Sequence, residues 1–381
     1  MTGLIAAIIV LYVILIGALT LGVHRLPAFE PIDIEPEHNF SILVVFRNEK
    51  ENLTSLIEHL RRLDYPREKF EVLLIDDDSE DGSVDLLKSM QEDDPTINMR
   101  VLEFKRESSS PKKEAIEMGL GKASFDWIVT TDADCVMGSD FLKAYDQFLT
   151  LHATKLVAGP VVCSADDSFL QGFQVLDFLS LQGSTMGGFG GRDSIPLLRP
   201  FMCNGANLCY DKKAFLDLGG YEGNKDIASG DDVFLLEKML EHYESEVHFI
   251  KSGASLVMTG PKETWKSLAS QRIRWAAKST SYKNRFAKTV GILVLTANFS
   301  LVMGLALGLA GQLEWPYLGL LFLLKINVDF ALIYSAASIL GQQNHLKSFV
   351  SSSLVYPFFV LLVAFQSLRG GYEWKGRSHK K

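Results

Sequence analysis

Cysteine is scarce: 381 residues hold only Cys135, Cys163, Cys203 and Cys209, with no CxxC pair and no histidine cluster beside them. That spacing excludes an ordinary zinc site and gives no disulfide framework. The four read as reduced and mostly buried, as expected of a cytosolic soluble part. Excess positive charge is lacking too. The formal net charge is −8, which excludes the basic footprint of a general nucleic-acid binder. No GxGxxG follows an apolar run and no P-loop occurs, which removes the dehydrogenase-type dinucleotide fold and the P-loop nucleotidases. A calcium loop fails on pattern: with Gly82 as its sixth residue, the third would be Ser79 and the twelfth Lys88.

Apolar residues are not scarce. They make up 47 % of the chain with a mean hydropathy of +0.12, and they gather at the two ends. Thr2–Val23 carries no charge and is long enough to cross a hydrocarbon core of about 30 Å. The basic n-region and small-residue cleavage site of a signal peptide are poor here, so residues 1–25 are expected to be an uncleaved anchor. Thr289–Leu313, Pro316–Leu340 and Phe349–Leu368 are further apolar stretches within a C-terminal membrane region, 289–370. Lys325 and Asp329 lie inside the second of these at i,i+4. An intramembrane ionisable residue is a functional candidate by default, and a mutually satisfied pair inside a helix bundle is the plainer alternative.

Orientation follows from the basic residues. Lys266, Arg272, Arg274, Lys278, Lys283 and Arg285 crowd residues 261–288 against one acid, Glu263, interleaved with Trp265, Trp275, Tyr282 and Phe286. That composition suits amphipathic helices on the inner membrane surface, and places the soluble part in the cytosol of a multi-pass protein. Four spans would put both termini outside, whereas the basic tail, 371–381, belongs inside. Either Pro357 makes the last stretch re-entrant or the span count is off by one.

Between the ends, residues 38–260 read as one α/β domain. Ser41–Phe46, Phe70–Ile75, Arg100–Phe104 and Trp127–Thr131 are strand-like, and helical patterns at 48–63, from Ser83, and at 112–120 separate them. This β-α-β order predicts a mostly parallel sheet with ligands at the carboxyl ends of its strands. Those ends carry Arg47-Asn48-Glu49, then Asp76-Asp77-Asp78-Ser79-Glu80-Asp81, then Asp132-Ala133-Asp134. Carboxylates so gathered repel unless a cation or donors offset them. The oxygen-only Asp132-x-Asp134 pair suits Mg²⁺ or Mn²⁺ together with substrate phosphates; helix capping by Ser79, Asp81 and Ser83 is the bland alternative. Gly187–Gly191 is glycine-rich enough for a lid or for a plain surface loop.

Taken together these segments resemble the family 2 glycosyltransferases, whose catalytic domain has the GT-A fold. VVFRNEKENL resembles the opening strand and turn, with Val45 and Phe46 departing from the usual residues. LIDDDSEDGS resembles the nucleoside-binding segment, implying roles for Asp76 and Asp77. PKKEAIEMGL resembles the lysine motif, giving Lys112, with Pro111 where glycine is usual. TTDADC matches the metal-binding segment. Asn204-Gly205-Ala206-Asn207 resembles the acceptor-side segment, implying Gly205 and Asn207. Asp231-Asp232 falls where the family carries its catalytic pair, with Asp232 as base. Gln271-Arg272-Ile273-Arg274-Trp275 is a full QxxRW motif of the membrane-bound subgroup, and Trp374-Lys375-Gly376-Arg377 resembles the tail of such members.

The resemblance implies an inverting, metal-dependent sugar transfer to a lipid or lipid-linked acceptor. The expected donor is a nucleotide-sugar, a UDP-sugar ahead of a GDP-sugar. Donor contacts would come from Arg47, Asn48, Glu49, Asp76, Asp77, Lys112, Asp132, Gln271, Arg274 and Trp275, the last also serving the acceptor. Two alternatives stand beside it, a processive polysaccharide synthase and an inactive membrane scaffold.

Overall fold

The computed structural model describes all residues except 1, 33, 95, 105–109, 226, 228, 369–371, 375–376 and 380–381. Helix α1, Thr2–Arg25, comes first, and a backbone bond from Phe29 to the Lys251 carbonyl (2.9 Å) fixes the chain as it leaves that helix. Strand β1 (Phe40–Phe46), α2 (Lys50–Arg61), β2 (Phe70–Asp76), α3 (Ser83–Asp93), β3 (Met99–Glu103), α4 (Pro111–Lys122) and β4 (Trp127–Asp132) follow. Every residue of β2 and all but Val45 of β1 are buried, as expected of strands covered on both faces. Leu53, Leu56, Ile57 and Leu60 form the buried stripe of α2, the helical spacing read from the sequence.

Beyond β4 come β5 (Cys135–Met137), α5 (Phe141–Leu151), β6 (Leu156–Ala158), β7 (Val161–Cys163), α6 (Phe169–Gly191), β8 (Leu208–Asp211), α7 (Lys212–Asp217), α8 (Asp231–Tyr243), β9 (Val247–Phe249) and β10 (Val257–Thr259). The main sheet runs β3-β2-β1-β4-β8-β6-β9. Of these, β8 alone is antiparallel to its neighbours, so the sheet is mostly parallel. A second sheet, β5-β10-β7, sits beside it.

Among the described residues, four helices are long and apolar enough to cross a membrane: α1, α10 (Arg285–Leu309), α11 (Trp315–Ile339) and α12 (Phe349–Leu368), the last extended at its start by a 3₁₀ turn from Gln343. Helix α9, Trp265–Lys278, precedes the last three of them and opens with a Thr264/Ser267 capping box. Pro357 lies inside a continuous α12 and does not break it. Of the tail, β11 (Tyr372–Trp374) and β12 (Arg377–His379) pair as a hairpin; the remaining tail residues, Lys375 and Gly376 among them, lie outside the described residues.

The glycine-rich stretch 187–191 is neither a lid nor a surface loop. It ends α6, and it meets α1 backbone to backbone: a Cβ on Gly187 would stand 2.4 Å from the Leu19 carbonyl oxygen, and one on Gly190 2.2 Å from that of Gly22. Small residues of this kind let two helices approach closely inside apolar surroundings. Lys325 and Asp329 form an ion pair at 2.6 Å.

Candidate active site

The loops at the carboxyl ends of β1 and β2 are laced together. Asn48 adopts φ 50°; its N–H donates to Ser79 Oγ (2.9 Å) and its Oδ1 accepts from the Glu80 N–H (2.8 Å). Arg47 is buried and donates to the carbonyls of Asp77 (2.7 Å) and Asp78. Asp76 accepts from the Ser79 N–H at 3.1 Å. The outcome is a rigid double turn from which Arg47, Glu49 and Asp77 reach a single large cavity of about 1280 Å³, whereas Asn48 and Asp76 do not line it.

Opposite this turn stand the ends of β4 and two helix N-termini. Lys112, in the first turn of α4, lies between Asp132 (2.8 Å) and Asp231 (3.0 Å). Asp231 and Asp232 open α8 behind Gly230, whose φ of 88° turns the chain into the helix. Carboxylates there face the positive end of the helix dipole. Asp232 pairs with Lys278 at 3.0 Å, and Lys262 lies 3.8 Å from Asp134. Burial pushes Asp231 up, but Lys112 and Lys278 outweigh it and hold its carboxyl below the ordinary range. Burial likewise pushes both lysines down, and their acids reverse this, keeping Lys112 and Lys278 firmly charged.

Gly205 lines the same cavity; its carbonyl accepts from Thr130 Oγ1 at 3.0 Å. Asn207 does not reach it. That side chain is wholly buried, accepting from Tyr145 (2.6 Å) and donating to the carbonyls of Pro160 (2.7 Å) and Ser255 (2.8 Å), so it pins the loop that carries Gly205. From α9, Gln271, Arg274 and Trp275 line the cavity. Arg272, between them, is buried: its Nε bonds Asp177 of α6 at 2.6 Å and its guanidinium stacks 4.3 Å from the Trp275 ring. Lys278 and Lys262 were hidden in the sequence because they belong to the basic run that reads as membrane-facing. The usable signal was spacing, since Lys278 sits one turn beyond Arg274 on the same helix.

Asp132, Asp134 and Cys135 bring one ligand atom each to within 4.8 Å of one another. Cys135 Sγ donates toward Asp134 (3.7 Å), and burial pushes the thiol well above its ordinary value. Thiol sulfur is a soft donor, matched to metals other than Mg²⁺ or Mn²⁺. The two carboxylates that remain suit a hard cation that leaves positions for water and phosphate oxygens. The residues present fit Mg²⁺ or Mn²⁺.

Residues 41–214 match the family model "Glycosyl transferase family 2". Over this segment the chain is similar to the family 2 glycosyl transferases. Among curated proteins, the poly-beta-1,6-N-acetyl-D-glucosamine synthase of Staphylococcus aureus is 24 % identical over 247 residues, 64 % of this chain and 55 % of that protein. The poly(ribitol-phosphate) beta-N-acetylglucosaminyltransferase TarS of the same organism is 26 % identical over 113 residues, 30 % of this chain and 19 % of its own length. The chain thus spans about half of one relative and a fifth of the other. The mannosyltransferase PcManGT of Pyrobaculum calidifontis, solved with GDP-Man and Mn²⁺, is 17 % identical with a TM-score of 0.56, covering 92 % of this chain and 99 % of that one. The domain has the GT-A fold.

Proposed function

We propose that this chain transfers a sugar, with inversion, from a nucleotide-sugar to a lipid or lipid-linked acceptor at the cytosolic membrane face. One observation carries the reading. The cavity lined by Asp132, Asp134 and Asp232 is also lined, without interruption, by residues of α1, α10, α11 and α12.

In this reading Asp77 accepts from the nucleobase at the inner end of the double turn. Lys112, with Arg274 from α9, faces the diphosphate as a point charge and a forked donor. A divalent ion held by Asp132 and Asp134 would offset the charge on the departing nucleoside diphosphate. Asp232, paired with Lys278, takes the proton from the acceptor hydroxyl as that oxygen attacks the anomeric carbon. One displacement inverts the configuration. Trp275, braced by Arg272, offers an apolar face to the acceptor.

Three crossings suit this arrangement better than four. Phe359 and Val363 of α12 pack on Phe173 and Leu268, alongside α6 and α9. Lys347, just ahead of α12, pairs with Asp167 of the soluble domain (2.5 Å), while Ser367 and Leu368 at its other end share the cavity wall with Lys288 at the start of α10. Both ends of α12 thus lie toward the domain. An in-plane α12 leaves α1, α10 and α11 as spans and puts the basic tail on the cytosolic side.

The relative named as a polysaccharide synthase favours a second reading, repeated transfer onto a growing glycan; mass analysis of the product separates one added sugar from many. The first reading is tested by a donor screen. Purified protein with membrane lipid extract should release nucleotide from at least one UDP- or GDP-sugar. No release from any of them overturns it.

A further inference from the structure

We propose that the bundle end of the cavity, built from Tyr12, Lys325, Asp329 and Ser352, is a subsite for the head of a neutral lipid whose accepting hydroxyl has an amide or ester alongside. The inference rests on the transferase reading above and specifies its acceptor.

All four residues line the cavity. Asp329 receives Lys325 Nζ on one oxygen and the Tyr12 hydroxyl on the other, each at 2.6 Å. Its side chain keeps 17 % exposure against 5 % for Lys325, so the carboxylate is still reachable from the cavity. Among the described residues the ammonium has one carboxylate partner; the Tyr12 and Tyr356 ring centroids lie 5.0 and 5.7 Å away. A second observation points to a ligand. Ser351, Ser353 and Ser335 each close a hydroxyl bond to a backbone carbonyl of their own or the preceding turn, the usual solution in apolar surroundings. Ser352, 5 % exposed, has no hydrogen-bond partner for its Oγ among the described residues. A buried hydroxyl left this way is costly unless something fills its bonding capacity.

Two chemical arguments choose the ligand class. First, Lys325 and Asp329 sum to zero charge, so the cluster offers donors and acceptors without a surplus positive charge for a phosphate. A polyprenyl phosphate would also place only hydrocarbon beyond its phosphate, where this cavity has polar atoms. Second, a lipid phosphate has its second pKa at about 6 and is already ionised at neutral pH, so it needs no base. An alcohol does, and Asp232 stands where that base would act. A neutral lipid with a hydroxyl at Asp232 and a carbonyl or amide deeper in satisfies both ends.

The test uses the full chain in detergent micelles. Dansyl-ceramide, a dansyl-diacylglycerol and a dansyl-labelled isoprenoid phosphate are titrated separately, with energy transfer from tryptophan as readout and nucleotide binding measured in parallel. Wild type should bind a neutral probe saturably. The double variant Lys325→Met/Asp329→Asn removes both charges together, a change that buried pairs often tolerate. It should elute as wild type on gel filtration and weaken neutral-lipid binding about tenfold. Ser352→Ala should weaken it in the same direction. Nucleotide binding should not change in either. Equal binding of neutral lipid by wild type and both variants, or tighter binding of the isoprenoid phosphate, overturns the subsite while leaving the transferase reading standing. Loss of nucleotide binding in the wild type would instead sink the transferase reading.

Discussion

Replacing Gly22 or Gly187 by alanine should separate α1 from α6. The ideal Cβ on Gly187 lies 2.4 Å from the Leu19 carbonyl oxygen, and that on Gly22 2.1 Å from the Gly187 carbonyl oxygen. Real Cβ contacts essentially never fall below 3.0 Å, so the backbones must part by at least 0.6 Å and 0.9 Å respectively (3.0 − 2.4 and 3.0 − 2.1). The obstructing atoms are main-chain oxygens, with no flexible side chain to swing aside. Forced overpacking costs about 1–3 kcal/mol, against a gain of about 1 kcal/mol from putting alanine in a helix. Gly17, on the same helix, supplies the control, because its Cβ would meet only Val328 at 4.0 Å. Thermal unfolding in detergent, followed by tryptophan fluorescence, should therefore rise slightly for Gly17→Ala and fall for Gly22→Ala and Gly187→Ala. If all three shift alike, the close backbone approach is wrong.

Three further outcomes follow from the site and its supports. Removing Arg272 as Arg272→Met leaves Asp177 buried without its cation, at about 3–5 kcal/mol; thermal unfolding should show the loss, and Arg272→Lys should recover part of it. Glu71 is buried between Ser41 Oγ (2.7 Å), Ser124 Oγ (3.1 Å) and Arg100 (2.7 Å). Burial pushes its carboxyl up, but the bonds from Ser124 and Ser41 and the Arg100 charge outweigh this and hold it below the usual range. Its stabilisation is then present above the unfolded value of about 4.3 and lost as pH falls through the folded one. Glu71→Gln should be less stable by about 1–3 kcal/mol at neutral pH and should lose less than wild type on acidification. Asp134→Asn should weaken the Mn²⁺-dependent part of nucleotide binding by about 10–100-fold in calorimetry, the range seen when metal sites are disturbed, with the metal-free part unchanged.

Much of this molecule was legible in its sequence. Ser41–Phe46 and Phe70–Ile75 are continuous apolar runs, and such runs between helical patterns have few alternatives to a parallel sheet. The acids at their ends could be placed because topology, once known, fixes which strand ends share a crevice. The far half was harder. Strands β6, β7, β9 and β10 have three residues each, too short for any period to show. Helix α6 mixes Gln174, Asp177 and Gln182 with six glycines after Gln171; its glycines read as flexibility, whereas each close approach to α1 requires one. Among the site residues, Asn48, Asp76 and Asn207 sit in motif positions yet hold the backbone of the site. Lys278 carries a charge that opposes the proposed base while belonging, by composition, to a membrane-facing run.

The central claim is that Asp232 is the base of a sugar transfer to an alcohol. Single-turnover transfer with the donor found by the screen, wild type against Asp232→Asn, tests it most directly. General-base contributions of this kind amount to about 10²–10⁴-fold, so the variant's transfer rate should fall by that factor while nucleotide binding in the presence of Mn²⁺ stays at the wild-type value. A variant that transfers sugar at about the wild-type rate with nucleotide binding intact would contradict the account.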